Sequence, residues 1–275
     1  MFGGRFTMFG GTPPVVKNLI YLNIIVFLAT FVLKSQFQID LYDILGAHYY
    51  QSSLFKPHQF VTYMFMHSIN DFSHIFFNMF GLWMFGRILE SVWGSKRFFL
   101  YYFVTGIGAL VVNMLVQSIE FNHMASIIQN YTVHPSWDSF NTLIDKYVQY
   151  PSDYLKDFMT KFQYNPTNTD YLNESKFILA KVYTEYINIP VVGASGAIFG
   201  VLLAFGMLFP NTELMLLFPP IPIKAKWFVL GYGAIELYSG LSQPGSNVAH
   251  FAHLGGMLFG FILVKYWNKK RTNFY

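Results

Sequence analysis

The sequence predicts an all-α membrane protein: a bundle of six transmembrane helices with a helical insertion on the outer side between the third and fourth. Three observations predict it. Of the 275 residues 53% are hydrophobic and only 12% charged, too few charges to coat a soluble globule. Six apolar runs stand out, at 18–33, 74–89, 98–116, 195–209, 228–241 and 248–267, and several approach the length one helix needs to cross hydrocarbon. None alternates with the period of two that marks a barrel strand, which leaves helices, whose backbone hydrogen bonds close within the segment.

Residues 1–17 form a Gly- and Pro-bearing tail with Arg5 and Lys17, and no small-residue cleavage site follows the first run, so that run reads as a retained helix. Basic residues orient the bundle. With the N-terminus cytoplasmic, eleven of the eighteen Lys and Arg fall on inner segments close to helix ends: Arg5, Lys17, Arg87, Lys96, Arg97, Lys224, Lys226, Lys265, Lys269, Lys270 and Arg271. Both termini are therefore expected inside, with residues 268–275 as the second cytoplasmic tail. The net charge of +4 is explained by this placement and gives no reason to invoke nucleic acid. The absence of cysteine excludes disulfides, thiolate metal sites and a cysteine nucleophile.

The first outer loop, 34–73, carries Tyr42, Tyr49, Tyr50, Phe55 and Phe60, a composition suited to the headgroup region. The core is expected to comprise 18–117 and 190–267, interrupted by 118–189. This polar, Tyr- and Asn-rich stretch is far longer than an ordinary connection. Within it, 142–162 and 175–186 space their apolar residues by three and four, which predicts a small helical extracytoplasmic cap.

Gly193-Ala194-Ser195-Gly196 sets a serine between glycines at the start of the fourth run. Unpaired N–H groups at a helix start offer donors to a developing oxyanion, although a serine there is equally an ordinary N-cap. A helix over 195–209 spans only about 22 Å, so Ser195 is expected below the outer surface, on backbone tolerated only beside a water-filled cavity.

In the last run, His253, Gly256 and Gly260 share one face, and the fourth run has Gly196 and Gly200 at the same spacing. Small residues four apart let membrane helices approach closely, which would bring Ser195 to His253. Neutral imidazole can take a serine proton and return it to a leaving amine. His250 is the competing base, out of phase with the glycine face. No Asp lies in the six runs, and nothing in the pattern ties Glu236 to His253, so two catalytic side chains and no full triad are expected. On the second run His74 and Asn78 lie four apart on one face, either as an interhelical polar contact or as donors to an oxyanion.

Taken together, G-A-S-G, A-H-F-A-H-L-G-G-M-L-F-G and H-I-F-F-N resemble the rhomboid family, from about residue 57 to 267 with the insertion between. The resemblance implies a bacterial-type six-helix core in a cell membrane, working within the lipid bilayer on transmembrane protein substrates without a cofactor or metal. It implies hydrolysis of peptide bonds in or next to a transmembrane helix by a Ser-His dyad. Ser195 is then the nucleophile and His253 the base, with Asn78, His74 and the Ser195 backbone N–H as the oxyanion site. Phe199 matches the family's aromatic ring against the catalytic histidine, and Gly193, Gly196, Gly256 and Gly260 are supporting residues. The family's frequent Trp-Arg pair in the first loop is replaced by His58-Gln59, and the third outer loop is far longer than in the minimal bacterial form. A catalytically silent relative that binds membrane clients is the alternative; a transporter would need inverted repeats, which are not evident.

Overall fold

The computed structural model describes residues 11–215, 220–242 and 250–271, with side chains through Lys269. Arg5, Ala249 and the side chains of Lys270 and Arg271 lie outside the described residues, as do 1–10 of the first tail and 272–275 of the last. The described residues divide into two compact units. One comprises the chain up to Ala47, Lys56–Met114 and the chain from Pro190 onward; the other comprises His48–Phe55 and Leu115–Ile189.

In the first unit, α1 (Pro14–Phe37) begins with proline, whose fixed φ and missing N–H suit a first helical turn. The next two backbone donors, Val15 and Val16, give their N–H groups to the Glu90 carboxylate at 3.0 and 2.8 Å. This buried acid therefore caps α1 across 74 residues of sequence, at the positive end of the helix dipole. The chain leaves α1 at Gln38, in the left-handed conformation.

Residues 34–73 are more than a connector. They form α2 (Leu41–Leu45), α3 (Gln59–Thr62) and a 3₁₀ turn at Tyr63–Phe65, and Tyr63, Met64 and Met66 are fully buried. His58 and Gln59 reach the carbonyl oxygen of Ile44 at 2.8 and 3.4 Å, tying α3 to the end of α2.

The second apolar run becomes α4 (Phe72–Gly81) and α5 (Arg87–Trp93), joined by a π-helical turn at Leu82–Gly86. Asp71 accepts the N–H of Ser73 at 2.9 Å and starts α4. The Ser73 hydroxyl also donates to it, and these hydrogen bonds hold the Asp71 carboxyl below the usual carboxylate range. Gly94, at φ 80°, stops α5 in a conformation that favours glycine, and α6 (Ser95–Val133) follows.

After α10 (Ser195–Leu208), the strands β1 (Glu213–Met215) and β2 (Pro222–Lys224) pair antiparallel, a small departure from the all-α expectation. The helices α11 (Ala225–Ser242) and α12 (His250–Arg271) complete the unit. Large apolar side chains on α1 and α11 face outward, among them Ile25, Leu28, Phe31, Trp227, Ile235 and Leu241. Such continuous exposure suits hydrocarbon and not water. Among the described residues three helices are long and apolar enough to cross a membrane: Pro14–Phe37, Phe72–Trp93 and Ser95–Val133; Ser195–Leu208 is apolar but shorter.

The second unit has its own core. The later part of α6 packs with α7 (Trp137–Tyr147), α8 (Asp153–Tyr164) and α9 (Thr169–Ile187) around Phe140, Phe158, Phe162 and Leu179. Ser136, Ser152 and Asn168 each cap a helix with a side-chain oxygen. The stretch 142–162, spaced by three and four, is helical in two pieces: the chain breaks between Val148 and Ser152, where Pro151 cannot continue α7. His48–Phe55 joins this unit through Tyr49, edge-on to Phe121 at 4.6 Å, and through the Ser52 hydroxyl, 2.6 Å from Asn188 Oδ1.

Candidate active site

Glycine contacts between α10 and α12 set the position of the site. A Cβ on Gly256 would overlap the carbonyl oxygen of Gly196, and one on Gly200 would meet Thr105 Cβ at 2.7 Å and the Gly256 oxygen at 3.0 Å. One on Gly260 would meet the Tyr101 hydroxyl, with the Gly200 Cα at 3.3 Å. The two backbones are in direct contact, as small residues permit where packing rather than the hydrophobic effect holds helices together. Tyr101 donates its hydroxyl to the Gly200 carbonyl at 2.7 Å and fastens α6 to the same place.

This contact brings Ser195 and His253 together. Ser195 is the first residue of α10, but Ala194 occupies the cap position and no side chain caps the helix. The hydroxyl is therefore not spent as an N-cap. It lies 2.8 Å from Nε2 of His253. The opposite ring nitrogen, Nδ1, lies 2.9 Å from Oε2 of Glu236 on α11. A carboxylate can only accept, so Nδ1 carries the proton and Nε2 presents its lone pair to the serine O–H, a tautomer assigned from this network. Phe199 lies parallel to the His253 ring at 4.2 Å and 7°, closing one face of it.

Two catalytic side chains are expected from the sequence, with Glu236 untied to His253; the structure sets the Glu236 carboxylate beside that ring. Glu236 is buried, and the same Oε2 also lies 2.7 Å from Nδ1 of His250. Two signals in the sequence mark Glu236: it is an ionisable residue inside an apolar run, and Gly233 and Gly240 share its face at spacings of three and four. His250 thus turns its Nδ1 to Glu236, whereas His253 bonds both Glu236 and Ser195. Glu236, His250 and His253 hold one ligand atom each within 4.8 Å of one another, the type and number that could hold a divalent ion. The two oxygen–nitrogen separations are those of hydrogen bonds, and an ion would have to displace both Nδ1 protons.

On the other side of Ser195, Gly193 adopts φ +126°, a conformation that strains any residue bearing a side chain. Its N–H donates to the Tyr63 carbonyl at 3.0 Å, fixing the approach to α10. The point a Cβ would occupy lies 2.9 Å from His74 Nε2 and 3.5 Å from Ser195 Oγ. Gly193 therefore keeps open a space between these two atoms. The Ser68 N–H donates to His74 Nδ1 at 3.4 Å, which leaves Nε2 as the N–H donor facing that space. Asn78, one turn along α4 and buried, donates from Nδ2 to the His74 carbonyl at 2.7 Å.

The arrangement can deprotonate a hydroxyl and offer a neutral N–H donor to an oxygen formed beside it. A family model described as the Rhomboid domain matches residues 55–123 and 172–269. The chain is also 35% identical over 80 residues to "Rhomboid protein 1, mitochondrial" of Saccharomyces cerevisiae. That match covers 29% of this chain and 23% of the relative, so the chain spans about a quarter of the length of this curated relative.

Proposed function

The chain belongs to the rhomboid family, and from this premise we propose that it is an intramembrane serine endopeptidase, cleaving peptide bonds in or next to transmembrane helices of membrane-protein substrates. The observation that carries this reading is the 2.8 Å approach of Ser195 Oγ to His253 Nε2 beside an open space faced by His74.

His253 Nε2 takes the hydroxyl proton as Ser195 Oγ attacks the scissile carbonyl carbon. Negative charge passes to the carbonyl oxygen. This oxygen enters the space beside Gly193 and accepts hydrogen bonds from His74 Nε2–H and the Ser195 backbone N–H, with Asn78 as a further donor through its second amide hydrogen. The imidazolium then protonates the departing amine, the carbon–nitrogen bond breaks, and an acyl-serine remains. Water, deprotonated by His253, attacks the ester and frees the carboxylate product. Ser195, His253 and a neutral donor suffice for each step, and the reading needs no metal or cofactor.

The protein is a multi-pass membrane protein. In this reading the three long spans are joined by α10, α11 and α12 to give six crossings, both termini are cytoplasmic, and 118–189 lies outside. A bacterial cell membrane rests on the resemblance alone. The shortness of α10, about 21 Å at 1.5 Å per residue, supports a serine below the outer surface. A silent relative that only binds clients would have no need of a serine hydroxyl on an imidazole nitrogen.

The test is cleavage of a reporter transmembrane helix by the purified protein in liposomes. Ser195→Ala and His253→Ala are each expected to abolish cleavage while leaving the fold intact, and His250→Ala to be much milder. Full activity in either of the first two would refute the assignment. The reverse ranking of the histidines would identify His250 as the base.

A further inference from the structure

We propose that Glu236 is a positioning residue for His253, held in place by His250, so that the base of the Ser195–His253 dyad works with a carboxylate behind it. The proposal rests on the function proposed above and adds to it a third side chain.

The argument begins with the cost of a carboxylate on an apolar helix. Glu236 sits between Ile235 and Leu237, both exposed on the outer face of α11, while its own side chain turns inward and is buried. Burying a charge in such surroundings is unfavourable unless it is fully hydrogen-bonded. Its partners are two imidazole N–H groups, at 2.7 and 2.9 Å, both on α12. Both donate to the same oxygen.

An isolated imidazole exchanges its proton between the two nitrogens, and only the form protonated at Nδ1 can accept from Ser195. An acceptor at Nδ1 selects that form. It also faces the positive charge the ring acquires when the serine proton arrives, and thus favours the state in which bond formation occurs. Phe199 stacks on one face of the ring, Ser195 holds Nε2 and Glu236 holds Nδ1, so rotation about the ring's own axis is blocked as well.

His250 lies one turn before His253, with its ring perpendicular to the other at 6.4 Å between centroids. Its Nδ1 anchors the same Oε2 from a second direction and fixes the carboxylate rotamer. That use accounts for a histidine which in sequence looked like a rival base.

Glu236 could instead merely pin α11 to α12. Glu236→Gln separates the two roles. Glutamine has the same shape and can still bond both helices, so a pin survives. It also can turn its NH₂ toward His253, stabilising the wrong tautomer, and it carries no charge. Positioning predicts that kcat for reporter cleavage falls by about 10²–10⁴-fold while KM and thermal stability stay near wild type. A stable variant keeping more than about a third of wild-type kcat would overturn the proposal.

The second measurement does not depend on any variant folding with activity. Nitrogen-15 spectra of histidine-labelled wild-type protein in micelles, with the His253 signals assigned by their loss in His253→Ala, should show a protonated Nδ1 and a bare Nε2. The opposite tautomer overturns the proposal even if Glu236→Gln is inactive. The proposed function fails separately: wild-type protein that neither cleaves the reporter nor reacts at Ser195 refutes proteolysis, whereas active wild type with an active Glu236→Gln refutes only the role of Glu236.

Discussion

Gly256→Ala adds one methyl group where α12 and α10 approach most closely. The new Cβ would overlap the Gly196 carbonyl oxygen and meet the carbonyl carbon at 2.7 Å. Both obstacles are backbone atoms, so no side chain can turn aside. Non-bonded carbons normally sit about 3.5–4.0 Å apart, which requires the helices to part by about 1 Å. His253 lies one turn before Gly256, and Ser195 is bonded to Gly196. The same displacement therefore stretches the 2.8 Å contact between Oγ and Nε2 beyond hydrogen-bonding range. A misplacement of about 1 Å costs on the order of 10²-fold in rate, and the overpacking itself costs about 1–3 kcal/mol of stability. The assay is kcat/KM for a reporter helix in liposomes, with thermal unfolding measured on the same preparation. Gly231→Ala is the control, because its added Cβ meets nothing within 4 Å beyond its chain neighbours and the adjoining backbone of its own helix. Activity in Gly256→Ala within about threefold of wild type would refute the claim that the α10–α12 contact sets the distance between base and nucleophile.

Two further substitutions test how the site is supported. Glu90→Ala strips the Val15 and Val16 N–H groups and the Ser95 hydroxyl of their acceptor, and is expected to lower stability by about 2–4 kcal/mol in reversible unfolding; a loss below about 0.5 kcal/mol would show that the cap is dispensable. Gly193→Ala forces a side chain into φ +126° and fills the space 2.9 Å from His74 Nε2. Its kcat should fall by at least about 10²-fold with the protein still folded, and near-normal kcat would remove that space from the oxyanion path.

The features legible in the sequence were those written in one helix at a time. Apolar runs located the helices, and glycines four apart identified the faces of α10 and α12 that meet. Ser195 and His253 could be paired because each sits beside such a glycine. Glu236 carries the same kind of mark: Gly233 lies three residues before it and Gly240 four after, on one face of α11, and in the structure both glycines stand against α12, at Met257 and at His250 and Phe251. Within 142–162 the three-and-four spacing runs on across Pro151, so spacing alone does not place the break between α7 and α8. The extent of α6 was hidden because its later half exchanges lipid-facing residues for polar ones while remaining helical to Val133. His48–Phe55 lies far in sequence from 115–189, and its place there depends on tertiary contacts such as that of Tyr49 with Phe121.

The central claim is that Ser195 is a nucleophile activated by His253. A fluorophosphonate probe reacts with an activated serine, and digestion followed by mass spectrometry locates the adduct. The wild-type protein is expected to carry the adduct on Ser195 and to lose it in His253→Ala. An adduct on a different serine, or labelling of Ser195 undiminished without His253, would contradict the account.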